Sequence, residues 1–231
     1  MLNKSLANHF LALLAVAQIT GCATSQPAPP GQNSGFLDDY SIMRPGVKGE
    51  AGLIYEYPLS NWRTFDKMIV APVVVLQHEG KGLPEEDRQR LATNFWLLLR
   101  QELGKDYQLV EMAGPNTLRF QAALTDVDKA SAVGDTITSI VPVGLVISKG
   151  QEFMTGKPSF VGEVSLEGKI TDAQLGTLLA AAVDRRVGGK SLKGSTDSWD
   201  DINQNLEFWS QKIRFRLCQW SGKTGCVDPA I

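Results

Sequence analysis

Histidine is almost missing from this chain: there are two in 231 residues, His9 and His78. His9 falls in an apolar leader, so the remainder of the chain holds a single imidazole. A Ser-His-Asp or Cys-His centre needs a base that a third group orients. His78 sits beside Glu79 in a predicted loop and reads as a solvated surface residue. Cysteine is nearly as scarce, with Cys22, Cys218 and Cys226 alone. One histidine and so few thiols do not make a zinc set, which commonly takes four His or Cys ligands. No metal or cofactor is expected. Basic excess is absent too: 23 Lys+Arg face 25 Asp+Glu, a net charge of −2, which argues against a nucleic-acid partner. No apolar run reaches the ~20 residues that a membrane-spanning helix requires.

What is present begins with a short leader. Lys4 supplies a positive charge, Phe10 to Ala17 form an uninterrupted apolar core, and Ile19-Thr20-Gly21-Cys22 closes it. A charged start, a core of roughly 7–15 apolar residues and a small residue before the cut make a secretory signal. Cysteine directly after Gly21 is the pattern of a bacterial lipobox, in which the new N-terminal Cys22 is acylated. Two or more acyl chains give stable anchoring where one gives only marginal binding. Residues 1–21 are therefore read as a cleaved lipoprotein signal, and the membrane as a partner through the lipid on Cys22. Ala23 and Thr24 lack the aspartate that favours retention at the inner membrane. The expected address is the bacterial cell envelope, outer membrane ahead of inner, with the domain in the periplasm. Residues 22–35 are polar and rich in Pro and Gly, too poor in large apolar groups to order themselves. They read as a lipidated, disordered tether reaching about 20 Å.

Residues 36–231 read as one periplasmic α+β domain. Phe36, Leu37, Tyr40, Tyr55, Tyr57 and Trp62 show little periodicity and suggest an extended arm that lays aromatics on the domain. Met68 to Leu76 is a nearly continuous apolar run, suited to a strand covered on both faces, with Pro72 implying a bulge or an edge. Pro84, followed by Glu85, Glu86 and Asp87, opens a helix in which Leu91, Phe95, Leu98, Leu99 and Leu103 share a face and Gly104 caps the end. Tyr107 to Met112 reads as a short strand. Thr117 to Thr125 reads as another, with Leu118, Phe120, Ala122 and Leu124 inward. Ile137 to Ile147 is apolar but broken by Pro142 and Gly144, and reads as a buried or interfacial loop or short helix, or as a lid.

The clearest hairpin follows. Phe160, Val164, Leu166 and Ile170 alternate with Glu163, Ser165, Glu167 and Lys169, the pattern of a strand with one wet face. Asp172 to Gly176 makes the turn and Leu178 to Val183 returns. The last helix starts near Ser198, a good N-cap, and carries the stripe Trp199, Ile202, Leu206, Trp209, Ile213 and Leu217. The natural packing is a mostly antiparallel sheet with two main helices on one face. Cys218 and Cys226 have two readings. They form a disulfide that pins the tail to this helix, as an oxidising compartment permits, or they stay as two free thiols.

Three motifs suggest chemistry and two fail on their own terms. Val187-Gly188-Gly189-Lys190-Ser191 has the end of a phosphate-binding loop, but Asp184 stands where the first glycine belongs. Asp126 and Asp128 have calcium-loop spacing, but Ala130 replaces the third oxygen ligand. The third is a carboxylate group: Glu163 and Glu167 on one strand face, with Asp184 and Arg186 across from them. Such a cluster reads as a solvated face, and no catalytic set is expected. An envelope hydrolase using Glu163 or Asp184 is the remaining catalytic reading.

Several stretches resemble one family. They are Ser34 to Ser41, Tyr57-Pro58 through Trp62, Asp66 to Pro72, Ser159 to Asp172 and Leu179 to Lys190. Together they resemble the bacterial lipoproteins catalogued as domain of unknown function 3313, over most of the chain after the leader. The resemblance implies an α+β envelope domain and carries over no functional residue. More loosely, the strand order and the turn with Asp172 and Gly176 resemble the periplasmic fold of curli-secretion and peptidoglycan-synthase-activating lipoproteins. That raises the expectation of a protein-interaction or assembly module, acting on other envelope proteins or on itself. The alternative is a binder of a small hydrophobic or envelope-derived ligand, which a deep apolar pocket would favour.

Overall fold

The structure is a computed structural model that describes residues 25–26, 33–78, 83–126, 137–140, 163–187 and 198–229. For 25–26, 77–78, 126, 137–140, 163, 186–187 and 198–202 the description concerns the backbone alone. The fold is α+β. Ten strands form one mixed sheet among these residues: β1 (Ser25–Gln26), β2 (Arg44–Pro45), β3 (Leu53–Glu56), β4 (Lys67–Val70), β5 (Val74–His78), β6 (Gln108–Leu109), β7 (Thr117–Asp126), β8 (Ile137–Ile140), β9 (Glu163–Asp172) and β10 (Leu178–Val187). Two helices, α1 (Glu85–Leu103) and α2 (Ser198–Trp220), pack with one face of it. The main strand order is β2-β3-β10-β9-β7-β4-β6. Most pairings are antiparallel. The parallel ones are β4 with β6 and β7, and β5 with β7, as expected where a helix crosses over between strands.

The apolar run from Met68 is two strands rather than one. Val70 pairs with Phe120 and Val74 with Ala123, so four residues advance against three at Ala71-Pro72-Val73. Pro72 has no N–H for the ladder, and the extra residue is absorbed there as a bulge. The strand read over Tyr107 to Met112 contracts to Gln108–Leu109. Ile137–Ile140 is a strand paired antiparallel with β5, not the loop or short helix expected; 141–147 lie outside the described residues. Two residues read as free tether are also on the sheet, where Ser25 and Gln26 pair with Arg186 and Arg185.

The first helix follows its sequence closely. Its first turn holds Glu85, Glu86 and Asp87, which complement the unpaired N–H groups there. Leu91, Phe95, Leu99 and Leu103 recur every fourth residue and are buried, while Leu98 is half-buried against the same core. The Trp96 indole donates to the Val70 carbonyl at 3.0 Å and so fastens the helix to β4. The second helix meets the first through Asn94 and Asn203, 2.6 Å apart, and through Phe95 and Trp209, whose ring centres are 6.3 Å apart. Arg214 on α2 reaches Asp106 at 2.7 Å, and Trp62 stacks on Trp220 at 4.8 Å. The chain past α2 folds back, with Cys218 and Cys226 joined in a disulfide.

The opposite face of the hairpin is not wet. Glu167 is 2% exposed and Ser165 5%. The arm covers them: Phe36, Leu37, Tyr40 and Met43 pack with Ala181, Val183, Leu53 and Tyr55 as a second, smaller core. Part of the arm is itself strand, β2 and β3, because β3 pairs antiparallel with β10. Alternation in β9 is real, but what covers the polar face comes from more than a hundred residues away. No helix among the described residues is long and apolar enough to cross a membrane.

Candidate functional site

Strand register makes a hollow in the helix-side face. In one cross-strand row, Ala122 pairs with Gly168, Gly168 with Ala182 and Ala182 with Ile54. The first three carry no side chain beyond Cβ. The neighbouring row runs Phe120, Ile170, Ala180, and the next Leu124, Leu166, Asp184. Side chains on one face of a sheet stand beside their directly opposite partners, so the small row leaves space between larger walls. Phe208, Trp209, Ile213 and Trp220 of α2 form the far wall. The result is a cavity of about 400 Å³, within the range of ~300–1,000 Å³ typical of small-molecule sites.

The loop Gly46–Gly52 roofs the cavity. Gly46 donates to the Gly52 carbonyl at 2.9 Å, closing the loop on itself. A Cβ on Gly46 would lie 1.8 Å from the Ala51 carbonyl oxygen, so only glycine fits. Gly49 has φ +85°, the left-handed region that favours glycine. Two ties hold the roof down. Arg44 grips Glu50 with both terminal nitrogens, at 2.7 and 3.2 Å. Arg216 of α2 donates to the Gly49 carbonyl at 2.7 Å. The Arg44 guanidinium, helped by the Val47 amide and the charge of Arg216, holds the Glu50 carboxyl down to about 2 against the opposing effect of burial.

Asp184 joins roof, wall and floor. One carboxylate oxygen accepts from the Trp209 indole at 2.8 Å and the other from the Gly52 amide at 3.3 Å. It is 7% exposed. Donors fixed on both oxygens make it a structural carboxylate at the end of the cavity. Lys212 and Arg216, one turn apart on α2, line the cavity with Lys48. Lys212 contacts Asp228 of the tail at 2.5 Å.

The carboxylate group expected from the sequence does not assemble. Glu167 lies opposite Val183, and Asp184 opposite Leu166. Asp184 therefore faces α2 while Glu167 faces the arm, where Tyr40 donates its hydroxyl at 2.5 Å and the Ser34 amide lies at 3.3 Å. Burial and this contact push the Tyr40 hydroxyl above its ordinary value. The side chains of Glu163, Arg186 and His78 lie outside the description, as do Cys22, Asp128, Ala130 and 188–191. The 137–147 segment, read as a lid, borders β5 in its described part, away from the roof over Gly168 and Ala182. Among the described residues no group of His, Cys, Asp or Glu is placed to hold a metal. Asp184 stands out in the sequence as a candidate surface acid, but its place as a buried hub and the roof loop go unread there. Their signals are an acid ending the small run Ala180-Ala181-Ala182-Val183-Asp184, and Gly46, Gly49 and Gly52 at three-residue spacing.

Comparison with known proteins gives kinship without an activity. An uncharacterized lipoprotein, YdcL, of Escherichia coli K12 is 25% identical over 202 residues, covering 85% of this chain and 89% of that protein. Its counterpart in Escherichia coli O157:H7 matches equally. Among solved structures, the PelC dodecamer from Paraburkholderia phytofirmans aligns with a TM-score of 0.34 and 12% identity, over 74% of this chain and 95% of that one. Residues 32–213 match the family described as "Protein of unknown function (DUF3313)". That match spans the arm, the roof loop and all but the end of α2, and the chain belongs to this family.

Proposed function

We propose that this chain is a lipid-anchored envelope lipoprotein whose domain binds a small apolar ligand. The cavity of about 400 Å³ between Gly168, Ala182 and α2 carries this reading. Close packing is the rule in protein interiors, and glycine and alanine facing a wall of Phe208, Trp209 and Trp220 depart from it here. The anchor reading rests on Cys22 after Ile19-Thr20-Gly21, and the E. coli relative described as a lipoprotein supports it. The lack of aspartate at Ala23 and Thr24 supports outer-membrane attachment, and the Cys218–Cys226 disulfide suits a domain in the oxidising periplasm. The proposed role is binding rather than catalysis, because Asp184 has both oxygens committed to N–H donors.

Assembly with envelope proteins is the second reading. Leu59, Met112 and Leu175, each at least 75% exposed, lie on loops at the end of the sheet where β7 and β10 begin. The aromatic arm contributes less to it, since Phe36, Tyr40 and Tyr55 are packed on the sheet.

The test is solvent extraction of the chain purified from its own envelope, followed by mass spectrometry, beside the Ala182→Leu variant. A small apolar compound should accompany the parent chain in near-equal amount and be missing from the variant. The covalent acyl groups on Cys22 stay with the protein and do not confuse the result. Identical extracts from both proteins would refute ligand binding in this cavity.

A further inference from the structure

We infer that the ligand is a single-chain amphiphilic acid, its apolar part in the cavity and its anionic head on Lys212 and Arg216. This rests on the ligand-binding reading and adds the class of ligand.

The first argument is charge. Three cations line the cavity, Lys48, Lys212 and Arg216, against two carboxylates, Glu50 and Asp184. Both carboxylates are committed, Glu50 to Arg44 and Asp184 to Trp209 and Gly52. The cations are held more lightly. Arg216 donates its hydrogen bonds to neutral acceptors, the Gly49 carbonyl and the Gln219 side-chain oxygen at 3.1 Å, while its charge also acts on Glu50 without a hydrogen bond between them. A guanidinium fork matches a carboxylate better than it matches a lone carbonyl. Lys212 has a carboxylate partner, Asp228, but that residue is on the chain after α2 and is 52% exposed. An arriving anion can take the place of Asp228 on Lys212 and of the Gly49 carbonyl on Arg216.

The second argument is shape. From Phe208 to Trp220 the lining residues follow α2 for about 18 Å, at 1.5 Å per residue. The floor beneath holds the small residues Gly168 and Ala182 of one row and Ala180 of the next. An elongated slot of this volume, near the lower limit for ligand sites, holds one chain rather than a two-chain lipid. Lys212 and Arg216 lie partway along this wall and also line the space under the roof loop, so the head sits where the roof is tied down. Binding then undoes one tie of the roof, Arg216 on Gly49, and leaves Arg44 on Glu50 in place.

The tail is the internal competitor. The disulfide ties Cys226 to Cys218 on α2, so Asp228, two residues further on, stays within reach of Lys212. Its carboxylate stands where the ligand head would go.

The test uses the whole chain carrying Cys22→Ala and three probes of equal length: decanoate, decanol and decylamine. Trp209 and Trp220 line the cavity, so tryptophan emission reports occupancy. Decanoate should bind about tenfold more tightly than decanol, the worth of one good charge-assisted contact, and decylamine should bind least. Lys212→Gln with Arg216→Gln should bring decanoate down to the decanol level. Asp228→Asn should tighten decanoate a few-fold by removing the competitor. Equal binding of decanoate and decanol, or tighter decylamine, in the parent chain overturns the anionic-head inference while leaving the cavity reading intact. Failure of all three probes to bind overturns the cavity reading itself. The comparison of probes in the parent chain stands even if a variant fails to fold.

Discussion

The same sheet face is built in two ways. At α1, Met68, Leu118, Phe95, Leu99 and Leu103 are fully buried in one core cluster. Beside α2, Gly168, Ala180 and Ala182 stop short of Phe208, Ile213 and Trp220, and a cavity remains. The filled half draws on β4 and β7 and the open half on β9 and β10, and the two share Phe120, Leu166 and Ile170. The filled half supplies stability through burial and dispersion. The open half gives up part of that, and its walls are still held by directional contacts: Trp209 and Gly52 on Asp184, Arg216 on Gly49. A hollow whose walls are held by hydrogen bonds keeps its shape when empty, which is what a binding site requires.

The sharpest way to break this contrast is to exchange the two kinds of packing. Phe95→Ala opens a hole in the filled half and should cost about 3–5 kcal/mol, read as a lowered urea midpoint. Ala182→Leu fills the open half. Its added carbons enter existing space, so the overpacking cost of ~1–3 kcal/mol seen in filled cores should be mostly absent. Stability should change by less than about 1 kcal/mol while ligand uptake is lost. A large destabilisation by Ala182→Leu would mean that the two halves are packed alike.

These halves were unequally legible in the sequence. The stripe Leu91, Phe95, Leu99, Leu103 and the alternation Leu118, Phe120, Ala122, Leu124 are local periodicities, and local periodicity survives folding almost unchanged. The hollow is a product of register. That Ala122, Gly168 and Ala182 fall in one row depends on three strands meeting at particular residues, which no single stretch of sequence states. Register also separates Glu167 from Asp184. Pairing Asp184 with Leu166 sends the two acids to opposite faces, so a cluster drawn from strand alternation alone cannot form. The roof loop was hidden for a different reason. Gly46 is required by a carbonyl at Ala51, and Gly49 by a turn; neither is periodic.

A second contrast sets the two buried carboxylates against each other. On the cavity side Asp184 is held by an indole on a helix and by an amide of the roof. On the arm side Glu167 is held by Tyr40 and Ser34, both on the arm itself. Tyr40→Phe removes the shorter of these contacts and leaves a buried acid with one amide donor. A hydrogen bond to a charged group is worth about 1.5–3 kcal/mol, and a loss of that size should appear in denaturation. Hydrogen exchange should rise first in residues 34–43 and leave α2 unaffected. The Tyr40 hydroxyl is raised above 10.0, so its contribution is complete below that value and fades as pH climbs through the raised one. Tyr40→Phe should lose its share of the alkaline effect and keep that of Tyr107, whose hydroxyl burial also raises. Equal exchange in the arm and in α2 would show that the two faces unfold together.

The smallest effect is expected at the roof and separates closure from folding. Glu50 is held down to about 2 from an ordinary 4.5, chiefly by Arg44. A lowered carboxyl contributes fully above its unfolded value, so the tie is complete above 4.5 and is lost as pH falls from there toward about 2. Arg44 is 55% exposed, so solvent screens the pair, and its worth to folding is within the ~0–1 kcal/mol of surface ion pairs. Global stability should barely register its loss. The amides of Gly46 to Gly52 should exchange faster across that acid range, and Glu50→Gln should show the fast exchange already at neutral pH. Arg216 still holds the Gly49 carbonyl after Glu50 is protonated, so the roof loosens without detaching. Combining Glu50→Gln with Arg216→Gln should release it. If roof exchange were unchanged by both substitutions together, the loop would owe its position to Asp184 and Gly52 alone, and the two ties would be ornaments on a rigid wall.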